Sequence, residues 1–168
     1  MILEVNGRRP QIHESAFVAP NATLIGDVTV SERANIWFGA VLRADQGFPI
    51  FVGARTSVQD NAVIHTDHRR GTTIGEGVTV GHGVTMEGCD IDDGALIGMN
   101  GVVLPGARVG EGALVAAGSV VLEGAEIPPG MLAAGVPASV KRALDPQGQS
   151  EVINAALVDY QRLMDLYQ

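Results

Sequence analysis

The chain has 168 residues, enough for one domain with a full core, and it carries a formal net charge of −8. This acidic balance argues against a nucleic-acid partner, because phosphate binding requires clusters of Lys and Arg. No apolar run approaches the length of a membrane span, and one cysteine, Cys89, fits a reducing compartment, so we expect a cytoplasmic protein without a membrane partner.

Composition also narrows the fold class. Glycine accounts for 22 residues, about twice its ordinary share, while aromatic residues make up only 4% of the chain. Small aliphatic side chains with many glycines suit narrow, regular packing better than a β-sandwich or a dinucleotide-binding layer.

The chain is predicted to open with a strand and turn over residues 1–11, the strand at residues 2–5 and the turn at Asn6-Gly7. From Ile12 onward, an aliphatic residue recurs every six positions, and a small residue usually follows four positions later. Neither a helical period nor a simple strand period produces this pattern. Six residues fit a short strand and a tight corner, and three such units close a triangular coil. The repeat therefore predicts a parallel β-helix over residues 12–132.

The chain is predicted to end in a helix that belongs to the same structural domain. A connecting segment over residues 133–149, marked by Gly and Pro, leads to a helix over residues 150–168. Ser150 is expected to cap the helix, and Glu151 suits its positive end. One apolar stripe is expected to lie along the outside of the coils. The stripe consists of Val152, Ile153, Ala156, Leu157, Tyr160, Leu163, Met164 and Tyr167.

The repeat places several polar residues on one face of the coils. Units three apart stack on successive coils, about 4.8 Å from each other. On one face, the residues that follow the inward aliphatics are predicted to form a ladder of Ile25, Arg43, His65 and Glu87. His82 belongs to a unit on another face, where Asp60 lies one coil below it.

Interruptions of the repeat point to the same region. The six-residue spacing is broken directly after Arg43, His65 and Glu87, so loops should leave the coils at one corner beside His65. Insertions at a tolerant corner would explain the loops, but not the polar residues gathered there. In a thin prism, His82 can meet the ladder only from another subunit. We therefore hypothesise a homotrimer with cyclic packing and a site shared between subunits.

Several stretches of the chain carry a resemblance to a known family. They are FVAPNATLIGDVTV, IWFGAVLRAD, VQDNAVIH, VTVGHGVTMEGCDI, ALIGMNGVVLPGA and the tail GVPASVKR. These stretches resemble the γ-class carbonic anhydrases and their hexapeptide-repeat relatives over nearly the whole chain. The resemblance implies an all-β solenoid, a left-handed parallel β-helix with a C-terminal α-helix packed alongside. It also implies a homotrimer that hydrates CO₂ reversibly to bicarbonate with one Zn²⁺ (or Fe²⁺) at each subunit boundary.

The resemblance assigns roles to matching residues. His65 and His82 would be two of the metal ligands. Arg43, Asp45 and Asp60 would make polar contacts near the boundary, and Asp45 is the obvious acid for proton export. Gln59 would lie close to the metal-bound water, and Tyr160 is a weaker match to a tyrosine that some members place at the site.

The third ligand position departs from the family. The family pattern ends in His-Gly-Cys, whereas this chain has Glu87-Gly88-Cys89. Two histidines and a carboxylate form a recognised set for catalytic zinc and for iron. A carboxylate offsets one metal charge, so activity should be weaker than with histidine. The alternatives are that Glu87 is an exposed, ion-paired carboxylate in a site without metal, or that His68 on the next loop substitutes as a ligand.

Three classes of function therefore stay open. The first is CO₂ hydration by a hydroxide that the metal generates, with a thioester or acyl hydrolysis variant on the same site. The second is acyl transfer from coenzyme A, with a histidine as general base in the cleft between subunits. The third is a non-catalytic assembly subunit, which an empty site would favour.

Overall fold

A computed structural model describes residues 1–167, with side chains for all of these except residues 146–150. The chain winds into a parallel β-solenoid of about 7 turns and ends in a single helix, which confirms the predicted fold class. The strands form three sheets, named here I, II and III, and consecutive strands along the chain pass from one sheet to the next.

Every pair of neighbouring strands is parallel except the last pair of sheet III, β21 and β22. Sheet I contains β1 (Ile2–Leu3), β4 (Thr23–Gly26), β7 (Val41–Ala44), β10 (Val63–His65), β13 (Thr85–Glu87), β16 (Val102–Val103) and β19 (Val120–Val121). Sheet II contains β2 (Gln11–Ile12), β5 (Val28–Val30), β8 (Ile50–Val52), β11 (Thr72–Ile74), β14 (Asp90–Ile91), β17 (Arg108–Val109) and β20 (Glu126–Ile127). Sheet III contains β3 (Phe17–Val18), β6 (Asn35–Ile36), β9 (Ser57–Val58), β12 (Thr79–Val80), β15 (Leu96–Ile97), β18 (Leu114–Val115), β21 (Met131–Ala134) and β22 (Ser139–Ala143). The helix is α1 (Pro146–Met164).

The six-residue repeat builds the core as its pattern predicts. The inward aliphatics of sheet I, such as Leu42 and Ile64, are completely buried, and so are the small corner residues Ala40 and Ala62. Small side chains are needed at the corners because the chain turns sharply there inside a narrow prism. Ile12 is an exception, since it lies in the first coil at the open end of the solenoid and is exposed.

The corner between sheets III and I turns tightly enough to require left-handed backbone. Asn61 and Gly83 occupy equivalent positions with φ of 58° and 67°. In the first turn, the amide of Ala62 donates a hydrogen bond to the carbonyl of Gln59 at 3.2 Å. The equivalent bond from Val84 to Gly81 closes the turn one coil above. A positive φ at the third residue marks a type II turn and favours Asn or Gly. The second position of the turn is partly exposed, and it is occupied by Asp60 in one coil and by His82 in the next.

The two ends of the solenoid are closed by short local structures. At the start, Val5 and Arg8 form an antiparallel bridge around the predicted turn, where Asn6 and Gly7 have φ of 52° and 73°. At the other end, the last parallel strand, β21, reaches Ala134, two residues past the predicted boundary. The chain then folds back as the exposed antiparallel strand β22, which the Gly/Pro pattern did not indicate.

The helix begins four residues earlier than predicted. Its first residue is Pro146, and proline is well tolerated in a first turn because the missing N–H would have no partner there. Ser150 therefore lies inside the helix, and its predicted capping side chain is outside the described part of the structure. α1 lacks the length and apolar character of a membrane-spanning segment, and it is the only helix that residues 1–167 form.

The helix covers sheet III with most of the predicted stripe. Ile153 and Met164 are buried, and Tyr160 and Leu163 are partly buried against the core. Val152 and Tyr167 were expected in the stripe, but they are 52% and 57% exposed. Val152 faces away from the coils, and Tyr167 follows the end of the helix, where its ring packs against Phe17, Trp37 and Phe38.

Candidate functional site

The predicted ladder on sheet I is confirmed by the strand register. His65 pairs with Arg43 on the coil before it and with Glu87 on the coil after it, and Arg43 pairs with Ile25. The His65 ring, only 15% exposed, contacts two carboxylates. Its Nδ1 lies 3.1 Å from Oε1 of Glu87, and its Nε2 lies 3.1 Å from Oδ1 of Asp45. The ladder therefore brings two of the predicted ligands into direct contact.

Asp45 lies at the start of the loop between β7 and β8 and links His65 to Arg43. Its second oxygen, Oδ2, accepts a hydrogen bond from Nη1 of Arg43 at 2.8 Å. Burial acts to raise the pKa of Asp45, but the hydrogen bonds from Arg43 and His65, together with their charges, hold it below its usual range. Asp45 therefore stays ionised and fixes the ring of His65, a positioning contact that the sequence did not specify.

The ring nitrogens of His65 and the carboxylate oxygens that face them are suited to a bound cation. A neutral imidazole has a single N–H, yet both ring nitrogens face carboxylate oxygens, so one of the two contacts needs a second proton or a metal ion. Two ligands of one tetrahedral zinc, each bonded at 2.0–2.1 Å, would lie about 3.3 Å apart. The 3.1 Å separation of His65 Nδ1 and Glu87 Oε1 is close to that value. A carboxylate on the opposite ring nitrogen is also a common support for a metal-bound histidine.

His82 forms the second polar cluster at the corner between sheets III and I. Its Nδ1 lies 2.9 Å from Oδ2 of Asp60, which lies one coil below. Its Nε2 shares a hydrogen bond of 3.0 Å with the hydroxyl of Tyr160. Helix α1 supplies Tyr160, whose ring also packs edge-on against Trp37 with centroids 5.2 Å apart. The carboxylate and the hydroxyl thus fix the orientation of the His82 ring.

Burial of its side chain between α1 and sheet III raises the pKa of Tyr160, and the nearby Asp60 carboxylate adds to the shift. The chain contains two tyrosines. We expect a phenolate titration with a component above the ordinary tyrosine value of about 10, and this component should disappear in Tyr160→Phe but persist in Tyr167→Phe. Because this pKa is higher in the folded chain than in the unfolded chain, Tyr160 contributes stability that is fully present below the ordinary tyrosine pKa. This stability is lost as the pH rises through the pKa of the folded chain. A titration in which Tyr160→Phe changes nothing above the ordinary value would contradict this assignment.

The structure places the other predicted residues in different surroundings. Gln59 is buried one coil above Trp37, directly before Asp60 in the corner turn. His68 is exposed on the loop between β10 and β11. Cys89 is completely buried, and burial followed by the charge of Asp90 raises the pKa of its thiol to about 12, so it is a packed residue.

No three His, Cys, Asp or Glu side chains converge on a single point among the described residues of one protomer. The hypothesis of a shared site assigns two ligands, His65 and Glu87, to one protomer and His82 to its neighbour. Within one chain, the structure brings the first two together and holds His82 in a separate cluster.

A third group of polar residues was missed at the sequence level. Asn35, Ser57 and Thr79 stack on sheet III and are buried beneath α1. All three immediately precede an inward aliphatic residue, a position that carries leucine in the next two coils of the same sheet. This local change from leucine to polar residues was the available signal.

Comparison with known proteins identifies the family. A mitochondrial gamma carbonic anhydrase 3 from Arabidopsis thaliana is 40% identical over 103 residues, which is 58% of this chain. A solved structure of a candidate acetyltransferase from Bacillus cereus is 38% identical, with a TM-score of 0.92 over 98% of this chain and 97% of that one. A hexapeptide transferase family protein from Anaplasma phagocytophilum is 36% identical, with a TM-score of 0.93 over 99% and 98%.

The chain belongs to the γ-carbonic-anhydrase-like hexapeptide-repeat family. No family model matches the chain. The chain spans between 37% and 54% of the length of the first curated relatives that it matches. Relatives in this family are named as carbonic anhydrases and as transferases, so the family alone leaves the reaction open.

Proposed function

We propose that this protein is a metal-dependent, carbonic-anhydrase-like enzyme that interconverts CO₂ and bicarbonate at a site shared between subunits. The observation that carries the proposal is the pair formed by His65 Nδ1 and Glu87 Oε1, held at 3.1 Å on adjacent coils. Relatives named as carbonic anhydrases support the same reaction. The proposed ligands of Zn²⁺ (or Fe²⁺) are His65 and Glu87 of one protomer and His82 of the next.

The metal, when bound, would acidify water so that hydroxide is available near neutral pH. The surrounding residues would hold and orient the reactants. Asp60 fixes the ring of His82, and Asp45 fixes the ring of His65. In the proposed site, Gln59 and Tyr160 orient the oxygen that attacks CO₂, and Tyr160 gives up its contact with His82 Nε2 when that nitrogen binds the metal.

A homotrimer is part of this proposal, and the outward surfaces of the sheets support it. Helix α1 covers sheet III, and the outward side of sheet II carries polar and charged residues such as Arg108 and Glu126. Sheet I carries the ladder and, beside it, an outward column that includes Val41, Val63 and Val102. Val63 is 41% exposed, and Leu122, which follows the last strand of the sheet, is 47% exposed. An apolar face that includes half of the candidate site is suited to a second copy of the chain.

The proposed location is the cytoplasm. The single cysteine, Cys89, is buried as a free thiol, which suits a compartment that keeps thiols reduced. A divalent metal held by nitrogen and oxygen ligands needs no thiolate there.

A second candidate function is acyl transfer. Two solved structures that match the whole chain bear transferase names. The geometry also offers a candidate general base, since the ring of His82 lies between the Asp60 carboxylate and the Tyr160 hydroxyl. In this alternative, coenzyme A thioesters would bind in the cleft between subunits and the metal would be dispensable.

Two measurements on one preparation separate the candidates. Protein produced with zinc should contain one metal ion per subunit, and CO₂ hydration should fall when a chelator removes the metal. Acetyl-CoA should leave the melting temperature unchanged. Protein that binds no metal under these conditions, but is stabilised by acetyl-CoA, would instead support acyl transfer.

A further inference from the structure

Three side chains beneath α1 each carry a polar atom without a partner, although the Oδ1 of Asn35 accepts a hydrogen bond from Nε1 of Trp37 at 2.6 Å. Asn35 pairs in register with Ser57, and Ser57 pairs with Thr79, so the three form one column across successive coils of sheet III. Each is at most 3% exposed. The side-chain Nδ2 of Asn35, the Oγ of Ser57 and the Oγ1 of Thr79 have no hydrogen-bond partner within the described part of the chain.

The six-residue repeat does not require polar residues in this column. The same column continues as Leu96 and Leu114 on the next two coils, where both side chains are partly buried. Buried hydroxyl and amide groups are destabilising unless they are hydrogen-bonded, so natural interiors pair them with protein or with ordered water. The polar section is confined to the coils that carry Trp37, Asp60 and His82.

One side of the column faces the candidate metal centre. Gln59 follows Ser57 by two residues, so it lies on the same outward side of the strand, and it is 5% exposed. The next residue, Asp60, holds His82, whose other ring nitrogen meets Tyr160. The buried polar surface therefore reaches the proposed site without leaving the cover of α1.

The other side of the column faces an open groove. Arg55 and Gly77, two residues before Ser57 and Thr79, both line a groove of about 760 Å³ between α1 and the corner of sheets II and III. The carboxylates of Glu76, Asp93 and Glu111 line the same groove. The column runs along the axis of the solenoid, and sheet III is narrow. The column therefore lies between the candidate site at one corner and the solvent-accessible carboxylates at the other.

We propose that Asn35, Ser57 and Thr79 bind a file of water molecules beneath α1, and that this file carries protons between the candidate metal centre and the groove. Along a strand, outward side chains two residues apart, such as Gln59 and Ser57, lie about 6.6 Å from each other, a gap that one or two waters bridge with ordinary hydrogen bonds. The proton-carrying role of the file rests on the proposed CO₂ hydration, whereas the presence of water in the column does not.

The reaction requires such an exit. Hydration of one CO₂ by one water forms bicarbonate and one proton, and this proton must reach solvent before the next turnover. One proton enters the file at the Gln59 end, each water passes on one of its own protons, and one proton leaves to a groove carboxylate or to buffer. The hydroxyls of Ser57 and Thr79 can both accept and donate, whereas the Asn35 amide only anchors water. Asp45, expected from the sequence as the exporting acid, has both oxygens engaged by His65 and Arg43.

The hydration of the column has a test that is independent of activity. Thr79→Val keeps the side-chain shape and removes the hydroxyl. In a hydrated column, the water loses a partner and the melting temperature falls, by about 2 °C or more for a chain of this size. In a dry column, removal of an unpaired hydroxyl raises the melting temperature, and that result would overturn the proposal. Thr73→Val, on the exposed side of sheet II, is the matched control and should leave the melting temperature unchanged.

The proton route has a kinetic test in the metal-loaded protein. Exchange of ¹⁸O between CO₂ and water separates the interconversion of CO₂ and bicarbonate from the return of label to solvent water, which consumes a proton. Ser57→Ala and Thr79→Val should lower the return of label on the order of tenfold, less than the roughly hundredfold that a positioned proton donor contributes, because water fills part of the gap. Imidazole buffer should restore the return of label.

Equal effects on both rates, or no effect on either, would refute the proton route. If the wild-type protein shows no interconversion at all, the proposed function fails and the proton route fails with it. The melting temperature of Thr79→Val then still decides whether the column is hydrated, so the two failures are distinguishable.

Discussion

Glu87→His is expected to raise the rate of CO₂ hydration by the zinc-loaded protein by about tenfold below neutral pH. The carboxylate of Glu87 offsets one unit of the metal charge, whereas a neutral imidazole does not, so the variant should make water more acidic at the site. A change of one pKa unit corresponds to a change of about tenfold in the available hydroxide below that pKa. The gain should shrink as pH rises, because hydroxide becomes abundant in both proteins.

The experiment requires the metal content and the rate of the same samples. Glu126→His, an identical exchange on the outward side of sheet II, is the matched control and should leave the rate unchanged. An unchanged or lower rate in a fully zinc-loaded Glu87→His protein would show that the carboxylate does not limit the chemistry. The removal of the contact between Glu87 and His65 should not unfold the chain, since the side chain of Glu87 is 42% exposed.

Subunit mixing is expected to restore metal binding and activity to a pair of inactive variants. His65→Ala and His82→Ala should each lose more than the roughly hundredfold in metal affinity that even a supporting residue can contribute. If the site is shared, a mixed trimer contains boundaries where an intact His65 and Glu87 meet an intact His82 of the neighbour. Random mixing of equal amounts restores about a quarter of the boundaries of a cyclic trimer.

A second mixture provides the control. His65→Ala mixed with Glu87→Ala should recover nothing, because both ligands must come from the same protomer and each protomer lacks one of them. Recovery in both mixtures, or in neither, would contradict a site that takes His65 and Glu87 from one protomer and His82 from its neighbour. Metal content measured after co-expression reports the result without an activity assay.

The six-residue period determined the solenoid, the identity of the inward residues and the vertical register of the ladder. This succeeds because each coil is built from three short units with only neighbour contacts, so counting residues is equivalent to counting positions in space. The alignment of Arg43, His65 and Glu87 follows from that count alone, and so does the position of Asp60 below His82. The interruptions of the period likewise indicated the corner that carries Asp45.

The tertiary structure decided what these side chains contact. The docking of α1 brings Tyr160 to His82 and buries Asn35, Ser57 and Thr79, and no local period encodes where a helix settles on a distant sheet. The orientation of His65 between Asp45 and Glu87 depends on loop geometry and on competing hydrogen bonds. The sequence by itself determined the scaffold, because its packing repeats, whereas the chemistry of the candidate site depends on contacts that occur once.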